Sequence, residues 1–234
     1  MSMHPSNKTF SHRYQTFLSS LKIDHELPDQ TDVIYPYESE EVQKALRTYY
    51  DRFYGDNKSR IFLLGINPGR FGAGVTGIPF TDPINLAKHC GIANDFQKKH
   101  ELSSRFIYDL VEFSGGAEAF FGRYFLTALS PLGFTWKGKN RNYYDTAALL
   151  QDLKPWIVKT LREQLDLGAD RSVAFSLGQG KNYKILQELN REYGFFQEIR
   201  PLPHPRWVMQ YRLKRKEEFL KFYRDELNRT GERE

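Results

Sequence analysis

Four short apolar runs, each separated from the next by helical periodicity, limit what this chain can fold into more than any other feature. They lie at residues 61–65 (IFLLG), 124–129 (YFLTAL), 172–177 (SVAFSL) and 196–202 (FQEIRPL). A strand that is apolar on nearly every residue has to be covered on both faces. A parallel sheet between two layers of helices does this, whereas an antiparallel sheet with one wet face does not. The pattern predicts a three-layer α/β/α sandwich around a central, mainly parallel four-stranded sheet. Helical periodicity is expected over residues 10–21, 42–54, 84–92, 103–113, 146–165, 183–193 and 213–227. The second of these is introduced by Pro36 and Ser39, and the sixth is stopped by Gly194. Residues 1–60 read as a helical N-terminal part, the stretch PLPHPRWVMQ after the last strand as a loop, and residues 228–234 as a frayed polar tail. With 234 residues, 40% of them hydrophobic, the chain is expected to form one domain, residues 1–234.

Charge and cysteine usage narrow the function classes. Lys and Arg outnumber Asp and Glu by 34 to 29, giving a net charge of +5, and the sequence pI is near 9.1. A basic balance favours a polyanionic partner. Cys90 is the single cysteine, so neither an internal disulfide nor a paired-cysteine zinc site can form. No window reaches 18 uncharged apolar residues, and the start, MSMHPSNKTF, has no apolar signal core. The expectation is a cytoplasmic monomer with no membrane contact, no metal and no cofactor.

Chemistry on such a sheet collects beyond the carboxyl ends of its strands. The loop after the first strand, GINPGRFGAGVTGIPF, contains Gly72-Ala-Gly-Val-Thr-Gly77, which matches the dinucleotide fingerprint GxGxxG. A cofactor fingerprint must turn straight from strand into helix so that a pyrophosphate meets the helix N-terminus. These glycines begin well beyond Gly65, and Pro79 and Pro83 follow them, so the match is excluded on context. No Lys-Ser or Lys-Thr follows to make a P-loop, and the turn Leu177-Gly-Gln-Gly-Lys181 reads as a tight strand-to-helix connection. Asn67, between Ile66 and Pro68, either orients a water or caps backbone groups of a tight turn. His204 lies between Pro203 and Pro205 beyond the fourth strand, where a stiff backbone fixes its imidazole over the same end of the sheet.

Taken together these residues resemble a known family. GINPGRFGAGVTGIPF is similar to motif 1 of the uracil-DNA glycosylase superfamily, specifically of the single-strand-selective monofunctional uracil-DNA glycosylases, whose pattern is close to GMNPGPFGMxxTGVPFG. The resemblance runs on through Arg105-Phe106, Ala119-Phe120-Phe121, FLTALSPLGF at residues 125–134, Gly138-Lys139-Asn140 and the turn at residues 173–180. It ends at Pro203-His204-Pro205, which is similar to the family's motif 2. It spans roughly residues 61–227, and the helices before residue 61 match only loosely. The resemblance implies a monofunctional enzyme that flips a base out of DNA and hydrolyses its N-glycosidic bond, leaving an abasic site. On this reading Asn67 positions the attacking water and His204 stabilises charge on the departing base. Phe80 stacks on the base, with Ile66, Gly69 and Phe71 around its edge. The alternative reading is a non-catalytic relative that recognises damaged nucleic acid, and the presence of both Asn67 and His204 argues against it.

Two departures from the family pattern matter. Ala128 falls where the family carries an asparagine that reads the base edge, so base choice is either relaxed or handed to a substitute such as Thr127, Ser130 or Asn140. The segment after His204 is shortened and changed, which leaves open which of Arg206, Trp207, Val208 and Met209 fills the gap left by a flipped base. Arg206, Arg212, Lys214, Arg215 and Lys216 cluster where the last helix is expected to start. Cations are disfavoured there by the macrodipole, so they are assigned, with Lys139, to phosphates of single- or double-stranded DNA.

Overall fold

Burial of the apolar runs sets the architecture. The computed structural model describes residues 8–229. The chain opens with α1 (Phe10–Ser20), β1 (Asp32–Ile34) and α2 (Glu40–Tyr54), and β2 (Arg60–Gly65) follows. Next come the short α3 (Ala73–Thr76), then α4 (Pro83–Cys90), α5 (Leu102–Phe113), α6 (Ala117–Arg123) and β3 (Tyr124–Ala128). A hairpin of β4 (Gly133–Trp136) and β5 (Lys139–Arg141) leads to α7 (Ala147–Leu165), β6 (Ala169–Leu177) and α8 (Lys181–Tyr193). The last elements are β7 (Glu198–Leu202), α9 (Pro205–Tyr211) and α10 (Lys216–Asn228).

Strands β3, β2, β6 and β7 form a four-stranded sheet in that order, parallel throughout. Every residue of β2 and β3 is buried, as a strand covered on both faces requires. The register carries Gly65 opposite Ala128, Leu64 opposite Ser176 and Leu177 opposite Leu202, so all four strands end in one row. Connections leave β2 toward one edge of the sheet and β6 toward the other. The crevice beyond the carboxyl ends of β2 and β6 is therefore the topological switch point at which ligands bind in open α/β sheets.

Helix ends follow ordinary capping chemistry. Asp82 accepts hydrogen bonds from the N–H groups of Ile84 and Asn85 at the start of α4, Pro83 takes the first helical position, and Gly91 closes the helix at φ 65°. Thr146 caps α7 through the Leu149 N–H, and Gly194 ends α8 at φ 64°. Helices α1 and α2 cover β2 and β3 with an aromatic layer in which the Phe10 and Tyr14 rings meet Phe125 edge-on at 4.8 and 4.9 Å. One hydrophobic cluster of buried residues runs from Phe10 to Leu227. Arg60 is buried inside it, donating to the carbonyls of Phe121, Lys58 and Phe53 and to the Asp56 carboxylate. No helix among the described residues is long and apolar enough to cross a membrane.

The sequence expectations need three corrections. The N-terminal part is not wholly helical: β1 pairs antiparallel with β4, which pairs with β5, in a second sheet of three strands. β1 and β5 have three residues each and are largely exposed, so no hydrophobic period marks them. The stretch after β7 is a helix, α9, because Pro205 occupies its first turn and His204 caps it. The basic cluster therefore does not open one helix; it spans α9, a turn of 3-10 helix over Leu213–Arg215 and the start of α10. Asn228 is the last residue of α10, and residues 230–234 of the expected tail lie outside the described residues.

Candidate active site

Asn67 lies two residues past β2, with its amide locked on both sides. Its Oδ1 accepts the Tyr143 N–H at 3.1 Å, while Nδ2 donates to the carbonyls of Pro68 at 3.2 Å and Arg141 at 3.3 Å. The capping function that the sequence left open is thus present. It also fixes which way the amide faces: one lone pair of Oδ1 remains to accept a hydrogen bond from a water. The partners are held in turn. The Arg141 guanidinium, buried at 7% exposure, donates to Asp29 and Thr31 at 2.7 Å and to Thr146 at 3.2 Å. The Tyr143 hydroxyl donates to Asn182 at 2.8 Å, and the Asn182 amide donates to the Gly65 carbonyl at 3.3 Å.

His204 lies two residues past β7, and β6 alone separates β7 from β2, so the strands that lead to His204 and Asn67 run about 10 Å apart at two strand spacings. Its Nδ1 accepts the backbone N–H of Arg206 at 3.1 Å as the cap of α9. An accepting Nδ1 carries no proton, so the neutral ring holds its proton on Nε2 as a donor. Burial, with the positive charge of Arg206 as a smaller cause, pulls the imidazole from 6.5 down to about 4, so it is neutral near pH 7. The loop beneath it is tied down by the Tyr223 hydroxyl on the Pro203 carbonyl and the Gly178 N–H on the Leu202 carbonyl. Gly178 has φ 140°, and a Cβ there would lie 3.4 Å from the imidazole Cδ2.

Both side chains open onto one cavity of about 390 Å³ at the switch point. Ile66, Gly69, Phe71, Phe80, Ala128 and Arg206 line it as well. The Phe80 backbone is held at φ 55°, a left-handed conformation that costs a bulky residue of order 1–3 kcal/mol. The strained backbone sets its ring over Gly65, where a Cβ would come within 2.5 Å of Cζ. Phe71 carries two cations on its ring, Arg70 at 4.3 Å and Lys99 at 3.5 Å from the centroid.

Ala128 presents a methyl group to the cavity. Of the substitutes named for it, Thr127 and Ser130 are buried and do not line the cavity. Thr127 bonds Gln164, and Ser130 donates to the Leu132 carbonyl at 2.8 Å. Asn140 does line it, with Oδ1 accepting the Arg70 N–H at 3.1 Å. Sequence reasoning passed over three further lining residues: Glu101, Ser103 and Asn142. Glu101 and Ser103 start α5, whose helical period was legible, but its position against Gly72 was not.

The residues assigned to DNA separate into groups. Arg206 and Trp207 are exposed on α9, and Lys139 is exposed on β5. Met209 is 5% exposed and packs into the core, so its side chain presents nothing to a partner. Lys216 is already paired with Asp109 at 2.6 Å and Arg215 with Glu218 at 2.7 Å. Arg212 lies over the Trp207 ring at 4.9 Å, and Lys214 is exposed. Among the described residues no three His, Cys, Asp or Glu side chains are placed to hold one metal ion.

The parallel sheet thus brings an asparagine and a neutral histidine to one cavity at its switch point. The chain belongs to the uracil DNA glycosylase superfamily, whose family model matches residues 52–228. It is an enzyme of the DNA glycosylase class, acting on N-glycosidic bonds. Among solved structures it is similar to wild-type SMUG2 of Pedobacter heparinus, at 38% identity and a TM-score of 0.92, over 96% of this chain and 99% of that one. No curated protein sequence matches it.

Proposed function

We propose that the cavity takes a flipped uracil or related deaminated base, with Asn67 and His204 acting from opposite sides of its glycosidic bond. A water held by Asn67 Oδ1 attacks C1′ of the sugar. The electron pair of the C1′–N1 bond leaves with the base, and the negative charge that grows on the base O2 accepts the His204 Nε2–H. The attacking water loses a proton to solvent, and an abasic site remains in the strand. No covalent enzyme intermediate is required, in keeping with a monofunctional glycosylase. Phe80 supplies a stacking face, and backbone N–H groups around Ile66, Gly69 and Phe71 surround the base edge.

The observation that carries this reading is the hydrogen bond from Arg206 N–H to His204 Nδ1, which leaves the ring neutral with one donor, Nε2–H. A preorganised donor at a developing oxyanion is worth about 2.7–4 kcal/mol. DNA is held by Arg206 at the cavity and by Lys214, Lys139 and Arg212 outside it, with Trp207 rather than Met209 as the group that fills the vacated stack. The non-catalytic alternative is not favoured, since both reactive side chains are present and oriented.

The experiment is base release from labelled oligonucleotides carrying uracil, hydroxymethyluracil, hypoxanthine or xanthine, followed by alkaline cleavage of abasic sites. Wild type is expected to cleave at uracil. Asn67→Ala is expected to lower excision at least about a hundredfold with DNA affinity little changed. Near-wild-type excision by that variant removes Asn67 from the chemistry.

A further inference from the structure

With a methyl group at position 128, the cavity needs other polar groups to tell one base edge from another. Uracil presents a ring N3–H donor beside the O4 acceptor; cytosine presents the reverse, an N3 acceptor beside an amine donor. A reader of uracil therefore needs an acceptor and a donor side by side. Glu101 and Ser103 both line the cavity, two positions apart at the start of α5. Glu101 is held at both ends: its N–H donates to Asp82 at 3.0 Å, two residues past Phe80, and its Oε2 accepts the Ser104 N–H at 2.8 Å. Its Oε1 has no hydrogen-bond partner among the described residues. Ser103 is 7% exposed, and its hydroxyl likewise has no partner among them. Glu101 packs beside Gly72, where a Cβ would lie in ordinary contact at 3.5 Å from Glu101 Cγ.

We infer that Glu101 and Ser103 form a split reader of the base edge, the carboxylate accepting the imide N–H and the hydroxyl donating to the neighbouring carbonyl. The inference rests on the glycosylase reading above and adds the residues that choose the base. A carboxylate repels an acceptor nitrogen, so bases with a lone pair at that ring position, cytosine among them, are rejected. It also opposes the negative charge of the departing base, so its contribution falls on binding rather than on the maximal rate. Glu101 is accordingly a specificity residue and not a general base.

The test compares single-turnover release of uracil and of 3-methyluracil, in which the ring N–H is blocked, from the same oligonucleotide. Wild type is expected to favour uracil. E101Q keeps an oxygen for the Ser104 N–H, and with it the cap of α5, but turns a donor toward the base. For uracil it should raise the half-saturating concentration by roughly 10- to 150-fold, the range for a hydrogen bond to a charged group, with little loss of maximal rate. Its preference for uracil over 3-methyluracil should collapse. S103A should weaken uracil release by about two- to tenfold, and its effect should not add to that of E101Q. Equal loss on both bases in E101Q, or a fall in maximal rate alone, overturns the reader. Equal release of both bases by wild type overturns it as well. A wild-type protein that frees no base at all is a different failure, that of the glycosylase reading itself.

Discussion

Replacing His204 by asparagine separates the two functions of this side chain. Nδ1 caps α9 by accepting the Arg206 N–H, and Nε2–H faces the cavity as a donor. Asparagine is among the best capping residues, so His204→Asn keeps the cap, whereas alanine at this position costs about 1 kcal/mol of stability. The shorter amide does not reach where the imidazole Nε2 reaches, so the donor is lost. Losing one donor to a developing oxyanion costs about 2.7–4 kcal/mol, a factor of 10²–10³ in kcat, with Tm nearly unchanged. The pH profile sharpens the test. With the folded imidazole at about 4 rather than 6.5, wild-type kcat should be flat between about pH 5 and 8. Stability should behave differently. The unfolded chain binds a proton below pH 6.5 and the folded one only near 4, so stability falls as pH drops through that window. The loss has a ceiling of roughly 3 kcal/mol, because the ring is only half-buried by exposure. His204→Asn removes this dependence. The assay is single-turnover excision with urea melts across the same pH range. A kcat inflection near 6.5 in wild type that disappears in His204→Asn would refute the neutral-donor reasoning.

Three further outcomes are expected. Gly65→Ala places a methyl group 2.5 Å from the Phe80 ring, so it should destabilise by about 1–3 kcal/mol and weaken substrate binding by displacing that wall; unchanged urea midpoint and KM would contradict the packing. Arg206→Ala with Lys214→Ala should lower the slope of log K against log salt on duplex by up to about 1.8. Arg215→Ala with Lys216→Ala should lower it much less, because those two are already paired with Glu218 and Asp109; titration at several salt concentrations decides. Arg60→Ala strips donors from the carbonyls of Phe121, Phe53 and Lys58 and empties a buried side-chain volume, while Asp56 keeps the Lys58 N–H; this should cost about 3–5 kcal/mol and about 10 °C in Tm by calorimetry.

The parallel sheet was legible because its strands are buried on both faces. Continuous apolar runs located β2, β3, β6 and β7 to within a few residues, and helical periodicity did the same for most of the longer helices. The second sheet was not legible. Its three-residue strands β1 and β5 are half solvated, and pairing partners that far apart in the chain leave no local period. α9 carried a signal that was read as its opposite. Prolines on both sides of His204 suggested a stiff loop, yet Pro205 after a side chain able to accept is also the start of a helix. At the site, the setting of Asn67 and His204 beyond strand ends singled them out, and the family resemblance added Phe80. Glu101 and Ser103 stayed hidden, because only the packing of α5 against the glycine-rich loop brings them to the cavity.

The clamp on Asn67 draws on a part of the chain that carries none of the motif residues. The amide is oriented by Arg141, 74 positions away, and the Arg141 guanidinium by Thr31 and Asp29, 110 and 112 positions away. These contacts span as much of the chain as the pairing of β2 with β6, in which Leu63 lies opposite Phe175. Asp29 and Thr31 also precede the stretch that the family model matches, residues 52–228. A chain lacking the residues before 52 would therefore own every motif residue and still lack the groups that hold Arg141, whose carbonyl accepts the Asn67 amide. The beginning of the chain thus braces its middle, through Asp29 and Thr31 on the Arg141 guanidinium.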